Sequence, residues 1–384
     1  MPPQVFPSEL NPVDLAATAS RFGDARTPPG RLFHDADVYA LDLERIFGRM
    51  WVCLGHISRA WEPGQFFTVE IGDESLIVVR GEDRTLRAFF NVCRHRGTRL
   101  TSNREGRCIA LTCPYHGWRY GLDGSLIAAP SMDEDQNFDA ARYPLVSARI
   151  EEYLGFIFVN LSDDPAPVAA GFDDLPDLSR FRFDALTCVE RHEYDVASNW
   201  KLVCQNFHEC YHCSVAHPDL HRISHHGNLS NADASGRLFI GGPMALREGY
   251  TTLTKSGVSP RRPLPGATPD DRQRVHYFQL LPNLLLSIAP DYVLTHHLYP
   301  LTPERVHIDT CWLFAPEQLA DTNFDAADVV DFWETTNRQD WQLCENALKG
   351  LKSARHRPGP YQSSEYCAHR FDQWYVTTMF PEYG

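Results

Sequence analysis

The stretch CRHRGTRLTSNREGRCIALTCPYH, residues 93–116, opens on Cys93-Arg94-His95 and closes on Cys113-Pro114-Tyr115-His116. The pattern is C-x-H, seventeen residues, then C-x-x-H. Each end offers one thiolate and one imidazole. A [2Fe–2S] cluster with asymmetric ligation needs two Cys on one iron and two His on the other. A structural zinc site uses the same four ligands but normally pairs Cys with Cys and His with His. The mixed ends favour the two-iron cluster over zinc. Gly97 and Gly117 follow the ligands and let each loop turn tightly, bringing backbone N–H groups near the sulfurs.

The surroundings of this stretch read as short strands with turns. Phe66–Ile71, Ser75–Val79, Leu86–Val92, Cys108–Cys113 and Tyr153–Leu161 are β-rich and bounded by Gly, Asp or Asn, which predicts a compact all-β module. Before it, Tyr39, Leu43, Ile46, Phe47 and Met50 fall at helical spacing behind Asp35 or Asp37 as a cap. A short helix is expected near Val13–Phe22, followed by a Pro-Pro-Gly arm. Residues 162–179 are rich in Asp, Pro and Ala and read as a linker. Beyond it, 186–196, 275–281, 284–288, 292–298 and 305–314 are strand candidates, and a long helix is expected over 325–352. Residues 221–268 are polar and aperiodic and read as loops over a pocket.

A second constellation lies in NWKLVCQNFHECYHCSVAHP, residues 199–218, which crowds Glu209, His212 and His217 into nine residues. Two imidazoles and a carboxylate are what a non-haem Fe(II) centre uses when it keeps open positions for O₂. Glu209 and His212, at i and i+3, share a helical face. Pro218 biases His217 out of the helix and lets it swing back toward a metal. The bland alternative is a pair of structural histidines near a helix end.

Composition sets the bounds. The 384 residues are 43% hydrophobic and 22% charged, enough for two domains with their own cores. A net charge of −14 without a basic run argues against nucleic-acid or anionic-membrane partners. Eleven cysteines in a chain this long suggest metal or free-thiol usage in a reducing compartment rather than a disulfide scaffold. The opening MPPQVFPSEL has no basic and apolar leader pattern, and the longest apolar runs are too short for a bilayer, so a cytoplasmic location is expected. No G-x-G-x-x-G follows a strand, so a dinucleotide site is not expected.

Taken together, Cys93–Arg96, Cys113–Trp118 and Asn199–Pro218 resemble the α subunit of Rieske non-haem iron oxygenases, the ring-hydroxylating oxygenase family, over nearly the whole chain. Respiratory Rieske proteins carry an extra Cys in each loop; Thr98 and Tyr115 stand there, as in the oxygenase and ferredoxin branch. The resemblance implies an α+β chain: an arm over 1–34, an all-β Rieske [2Fe–2S] domain with its leading helix over 35–161, and a catalytic domain over 162–384 with an antiparallel sheet covered by helices, of the helix-grip type. It implies a Rieske cluster on Cys93, His95, Cys113 and His116, and a mononuclear Fe(II) on His212, His217 and Asp340. Glu209 is then no ligand. It becomes the bridge that accepts hydrogen bonds from His212 and from a Rieske histidine of a neighbouring subunit, and Asn206 lies near the iron. The implied assembly is a homotrimer fed by NAD(P)H through a separate flavin or ferredoxin-type reductase, with O₂ as co-substrate.

Gln205 and His208 depart from the family pattern; Gln205 keeps hydrogen-bonding capacity without charge, and His208 reads as a polar surface residue, the alternative being a third titrating group near the site. The segment 281–297 and the tail from Gly359 are similar to the branch of glycine betaine, carnitine, choline and stachydrine oxygenases. Hydroxylation or N-demethylation of a quaternary ammonium compound is the expected reaction. Such a cation is best held over aromatic faces, for which Tyr250, Tyr277, Phe278, Tyr292, Tyr299 and Trp312 are candidates, core packing being the plainer reading for most. The alternatives are hydroxylation of an aromatic acid, with Arg247, Arg261 or Arg262 as its cation, and a Rieske electron carrier without oxygenase activity.

Overall fold

A computed structural model describes residues 10–134, 137–224 and 235–383. The chain divides into two units, one of Phe47–Ala170 and one that joins Met1–Ile46 to Gly171–Gly384.

The Phe47–Ala170 unit is all β. Its main sheet contains β1 (Val52–His56), β2 (Gln65–Ile71), β3 (Glu74–Arg80), β4 (Leu86–Phe90), β5 (Glu105–Arg107), β9 (Ser147–Tyr153) and β10 (Phe156–Asn160), in the order β1-β10-β9-β4-β3-β2-β5. A small sheet of β6 (Leu111–Thr112), β7 (Arg119–Tyr120) and β8 (Leu126–Ala128) stands apart from it. The Cys108–Cys113 strand is shorter than expected: only Leu111–Thr112 pairs, because the chain must turn between β5 and β6. Phe66, Ile77, Val79, Phe89, Leu111, Trp118 and Tyr120 form a core directly beneath Cys93 and Cys113.

In the second unit, β11 (Thr187–Val196), β12 (Phe239–Ala245), β13 (Arg274–Leu280), β14 (Leu284–Ile288), β15 (Val293–Thr302) and β16 (Arg305–Phe314) make one antiparallel sheet ordered β11-β16-β15-β14-β13-β12. Strand β12 falls inside the segment expected to be loop. Its Gly-Gly-Pro sequence hides strand propensity, and pairing with β13 overrides it. The rest of that expected loop lies in part, at 225–234, outside the described residues. The long helix is Ala327–Leu351. Val329, Phe332, Trp333, Thr336, Asn337, Trp341, Cys344 and Leu348 fall three or four residues apart along its buried side. Val329, Phe332 and Trp333 pack in one cluster with Val275, Leu294, Trp312 and Phe314 of the sheet. Each fully buried side chain of this size contributes roughly 1.5–3 kcal/mol.

Two boundaries differ from the sequence reading. The leading helix, Ala36–Leu41 continuing in wider turns over Asp42–Phe47, was expected in the Rieske domain. It belongs almost entirely to the catalytic unit. The reason is Asp42, which is fully buried: Lys201 Nζ lies 2.5 Å from its Oδ2, and Trp200 Nε1 and Tyr375 Oη donate to it at 3.0 and 2.6 Å. The expected end of the β domain at 161 moves to Ala170, because Ala166 O accepts from Trp51 Nε1 and Val168 N donates to Glu151.

The metal or free-thiol usage expected of the cysteines is corrected for two pairs. Cys188 is bonded to Cys311 between the paired strands β11 and β16, and Cys210 to Cys213.

Candidate functional site

The two loops of the β unit are closed in the same way. Cys93 N donates to Thr98 O at 2.8 Å and Gly97 N to Cys93 O at 3.0 Å. In the other loop Cys113 N donates to Trp118 O at 2.8 Å and Gly117 N to Cys113 O at 3.1 Å. Gly97 and Gly117 sit at φ +74° and +72°, where a side chain would strain the turn. Cys93 and Cys113 are buried, while His95 and His116 are exposed with ring centroids 4.5 Å apart. The thiols thus face the core and the imidazoles face out, an asymmetry that suits a cluster with different ligands on its two irons. Trp118 stacks on His95 at 4.9 Å and fixes its plane. Tyr120 Oη receives the Arg94 N–H at 3.1 Å and lies 3.3 Å from Cys93 Sγ, so its own proton is free for the sulfur. Burial pushes the Cys113 thiol up; bound iron would turn it to thiolate.

In the second unit Asn199 caps the Trp200–Phe207 helix by accepting from Lys201 N. The helix ends at Phe207, earlier than the shared face of Glu209 and His212 implied. These two lie in the turn that follows, where Glu209 itself accepts from the backbone N–H groups of Tyr211 and His212. A short helix Cys213–Ala216 then stops at His217 (φ −125°, ψ 74°), and Pro218 starts the next one, as its restriction on the preceding residue dictates.

That turn brings His212 and His217 to Asp340 on the long helix. Asp340 Oδ1 is 3.3 Å from His212 Nε2 and 2.8 Å from His217 Nε2. The other nitrogen of each ring is engaged: His212 Nδ1 donates to Glu209 Oε1 at 2.5 Å and His217 Nδ1 to Gln339 Oε1 at 2.7 Å. Both rings are therefore oriented with Nε2 toward the carboxylate, the arrangement that tunes a metal-binding imidazole. Burial would depress His212, but Asp340 and Glu209 outweigh it and push it up to about 10. Burial would likewise raise Asp340, but the two imidazoles hold it below the usual carboxylate range. The set is an anionic slot that a divalent cation fits in place of the two ring protons. Cys213 also lies within reach of His212 and His217, but its sulfur is bonded to Cys210, and Asp340 is the carboxylate that both Nε2 atoms face.

A cavity of ≈ 80 Å³ surrounds this set. Phe207, Tyr277, Trp333 and Trp341 supply aromatic walls, and no Lys or Arg is among its described lining residues. Asn206 lines it too, with Nδ2 3.5 Å from His212 Nε2. Glu209 and His212 also line a second cavity of ≈ 340 Å³ that runs past Gln205, Tyr361, Glu365 and Asp372.

Of the six aromatic candidates from sequence, only Tyr277 reaches the cavity. Phe278, Tyr292, Tyr299 and Trp312 are core, and Tyr250 sits under Arg222. Phe207 and Trp333 were missed, although Trp333 sits about two helical turns before Asp340 and so on the same side of the long helix. His208 is not a surface residue: it is 5% exposed, donates to Gln279 Oε1 at 2.6 Å, and burial lowers it to about 4. Gln205 donates to Asp372 Oδ1 at 2.5 Å. Arg247, Arg261 and Arg262 do not line the cavity; Arg247 bonds backbone carbonyls and Arg261 is held by Asp291 and Asp328.

Residues 183–380 match the ring hydroxylating alpha subunit (catalytic domain) and residues 50–146 the Rieske [2Fe-2S] domain. The chain is 31% identical over 380 residues to the glycine betaine monooxygenase oxygenase subunit of Chromohalobacter salexigens, covering 91% of this chain and 85% of that protein. It is 31% identical over 347 residues to the carnitine monooxygenase oxygenase subunit of Escherichia coli, covering 87% and 86%. Its fold is similar to that of the quaternary ammonium Rieske monooxygenase CntA solved with L-carnitine, with a TM-score of 0.76 at 24% identity over 97% of this chain and 99% of that one. It is also similar to the naphthalene 1,2-dioxygenase of Rhodococcus sp. bound to indole, with a TM-score of 0.73 at 19% identity over 93% and 95%. The chain belongs to the ring-hydroxylating oxygenase α-subunit family, the Rieske non-haem iron oxygenases, which carry a [2Fe–2S] cluster in the first domain and a mononuclear iron in the second.

Proposed function

We propose that this oxygenase acts on a small quaternary ammonium compound, by hydroxylation or oxidative N-demethylation. The observation that carries the reading is the lining of the cavity: aromatic faces from Phe207, Tyr277, Trp333 and Trp341, the carboxylates of Glu209 and Asp340, and no Lys or Arg among the described lining residues. A tetraalkylammonium group donates no hydrogen bonds. It is held by aromatic quadrupoles and nearby negative charge, which together contribute on the order of 1–2 kcal/mol per well-placed ring in a desolvated site. An aromatic acid needs a cation in the pocket, and the three arginines considered for that role lie elsewhere. The names of the betaine and carnitine relatives point the same way.

In this reading Cys93, Cys113, His95 and His116 hold the cluster, and His212, His217 and Asp340 hold the iron. The cluster supplies electrons and the mononuclear iron activates O₂. The chain's own residues do the rest. Gln339 and Glu209 keep the two imidazoles oriented, and the aromatic walls exclude water and place an N-methyl group beside the metal set. Glu209, bonded to His212 and lining both cavities, is the contact through which a Rieske histidine of a neighbouring subunit delivers electrons in a homotrimer. Asn206 steadies the open side of the metal set. Electrons come from NAD(P)H through a separate flavin or ferredoxin-type reductase, in the cytoplasm. No helix among the described residues is long and apolar enough to cross a membrane.

The test is substrate-dependent oxygen uptake by the iron-loaded protein with a flavin reductase. Glycine betaine, carnitine and choline are compared with benzoate and salicylate. Formaldehyde or a hydroxylated product from a quaternary ammonium compound is expected. Turnover of the aromatic acids alone would overturn the assignment.

A further inference from the structure

Cys210-Tyr211-His212-Cys213 is a C-x-x-C whose interior contains one imidazole of the metal set, and the reading above leaves its cysteines without a role. Both are buried, at 8% and 2% exposure, both line the substrate cavity, and they are bonded to each other. Cys213 Sγ lies 3.8 Å from His212 Nε2, and Cys213, His212 and His217 present donor atoms that all fall within 4.8 Å of one another. Two donors of a single ion, at about 2.1 Å for nitrogen and about 2.3 Å for sulfur, lie no more than about 4.4 Å apart. The separation of the sulfur from His212 Nε2 is within that limit. What keeps the sulfur from acting as an anionic ligand is its bond to Cys210, since the thiolate is the metal-binding form.

We propose that Cys210 and Cys213 are a reversible dithiol–disulfide couple that decides whether the Cys213 sulfur is a fourth donor to the metal held by His212, His217 and Asp340. The proposal rests on that metal set. In the disulfide form three protein donors remain and the other positions stay open. In the dithiol form the Cys213 thiolate takes one of those positions, so the metal is bound more tightly and is less open to oxygen. Oxidation removes one proton and one electron from each thiol and forms the S–S bond. The oxidant is hydrogen peroxide, the two-electron product of oxygen reduced without a substrate; its O–O bond breaks and two waters form. The return step is exchange with a small dithiol, which attacks one sulfur, forms a mixed disulfide and leaves both thiols reduced. In a reducing compartment a protein disulfide of this kind is transient and responsive rather than a structural brace.

The experiment replaces the mononuclear iron with cobalt(II) in the full chain with its cluster intact. It records the cobalt-loaded minus cobalt-free spectrum after treatment with a phosphine reductant or with hydrogen peroxide, and alkylation followed by mass measurement assigns the thiol state. An intense near-ultraviolet sulfur-to-cobalt band is expected in the reduced protein and lost after peroxide. Cys210→Ser, which cannot form the disulfide, keeps the band after a peroxide dose that oxidises the native pair. Cys213→Ser lacks it in both states. The proposal is overturned if reduced protein shows visible cobalt bands that His212→Ala removes but no sulfur-to-cobalt band, or if the band persists in Cys213→Ser. If cobalt spectra are identical in the native chain and in His212→Ala, the metal set itself is wrong and the proposal falls with it.

Discussion

The cluster loops and the mononuclear set reach metal-binding geometry by opposite routes. Cys93, His95, Cys113 and His116 sit on two neighbouring loops, each closed by the same two backbone hydrogen bonds and each turned by a left-handed glycine. The chain needs little beyond a local β framework to present them. His217 and Asp340 are 123 residues apart and meet only when the long helix packs over the sheet. The loops leave their imidazoles exposed, whereas the second set holds one buried and one half-buried imidazole, His217 and His212, against a carboxylate. A site made of local turns should tolerate distant damage. A site assembled by tertiary packing should register it.

The largest effects separate the two sites outright. Asp340→Asn removes the anionic donor and is expected to lose the mononuclear iron and abolish turnover while the visible cluster spectrum stays. Cys113→Ser is expected to do the reverse, bleaching the cluster and leaving the catalytic iron. Iron and sulfide analysis beside the absorption spectrum checks both, and loss of both centres from either variant would break the comparison. Next in size is Glu209→Gln. The amide oxygen still accepts from His212 Nδ1, so both metals remain. The lost charge should slow electron delivery about 10- to 100-fold, the usual range for a group behind a metal-binding histidine. Single-turnover oxidation of the reduced cluster measures it, and an unchanged rate would remove Glu209 from the path.

The same contrast governs how much the sequence disclosed. The two Cys–His loops were legible because spacing alone carries them. So was most of the antiparallel sheet, whose strands β13–β16 alternate with clear turns. The place of Asp340 beside the two imidazoles was suggested only by resemblance: an Asp in a helix rich in acids looks solvated until Asn337, Trp341 and Cys344 are seen to share its side of the helix. His208 misled for the same reason, since its partner Gln279 is 71 residues away. The helix that joined the catalytic unit was misplaced because nothing near Asp42 in sequence reveals that Lys201, Trp200 and Tyr375 surround it. The cavity walls were missed because helix periodicity says which side is buried, not which buried side meets a void.

The Asp42–Lys201 pair sharpens the comparison at intermediate strength. Lys201 is on the helix that leads into the metal-binding turn, and both groups are fully buried. Lys201→Met leaves Asp42 without its cation and should cost about 3–5 kcal/mol of stability. Denaturant unfolding followed at the catalytic unit measures that loss. Iron affinity should drop with it, while the cluster spectrum of the folded variant is unchanged. The double change Asp42→Leu with Lys201→Met should recover much of the stability, because an apolar pair replaces the ion pair without leaving a lone charge.

The smallest expected effect is a pH dependence centred on Asp372, which lies behind the same helix. Burial is the main reason its carboxyl is pushed up to about 7; hydrogen bonds from Tyr361 and Gln205 and the charge of Lys201 pull the other way, and nearby Glu365 adds to the rise. The folded state therefore keeps a proton that the unfolded chain, near its ordinary value of 3.8, has already released. Stability from this group is present in full below about pH 4 and is lost as pH rises through about 7, because the unfolded state binds fewer protons across that window. The full span is worth at most about 4 kcal/mol at 1.36 kcal/mol per unit. Asp372→Asn should flatten that slope: its denaturation midpoint should approach or exceed that of the native chain at pH 8 and fall short of it at pH 4, where the native carboxyl is already neutral and better matched to its two donors. A midpoint difference that is the same at both pH values would mean that Asp372 is ionised throughout, and that a buried charge stands behind the helix leading into the metal-binding turn without being neutralised.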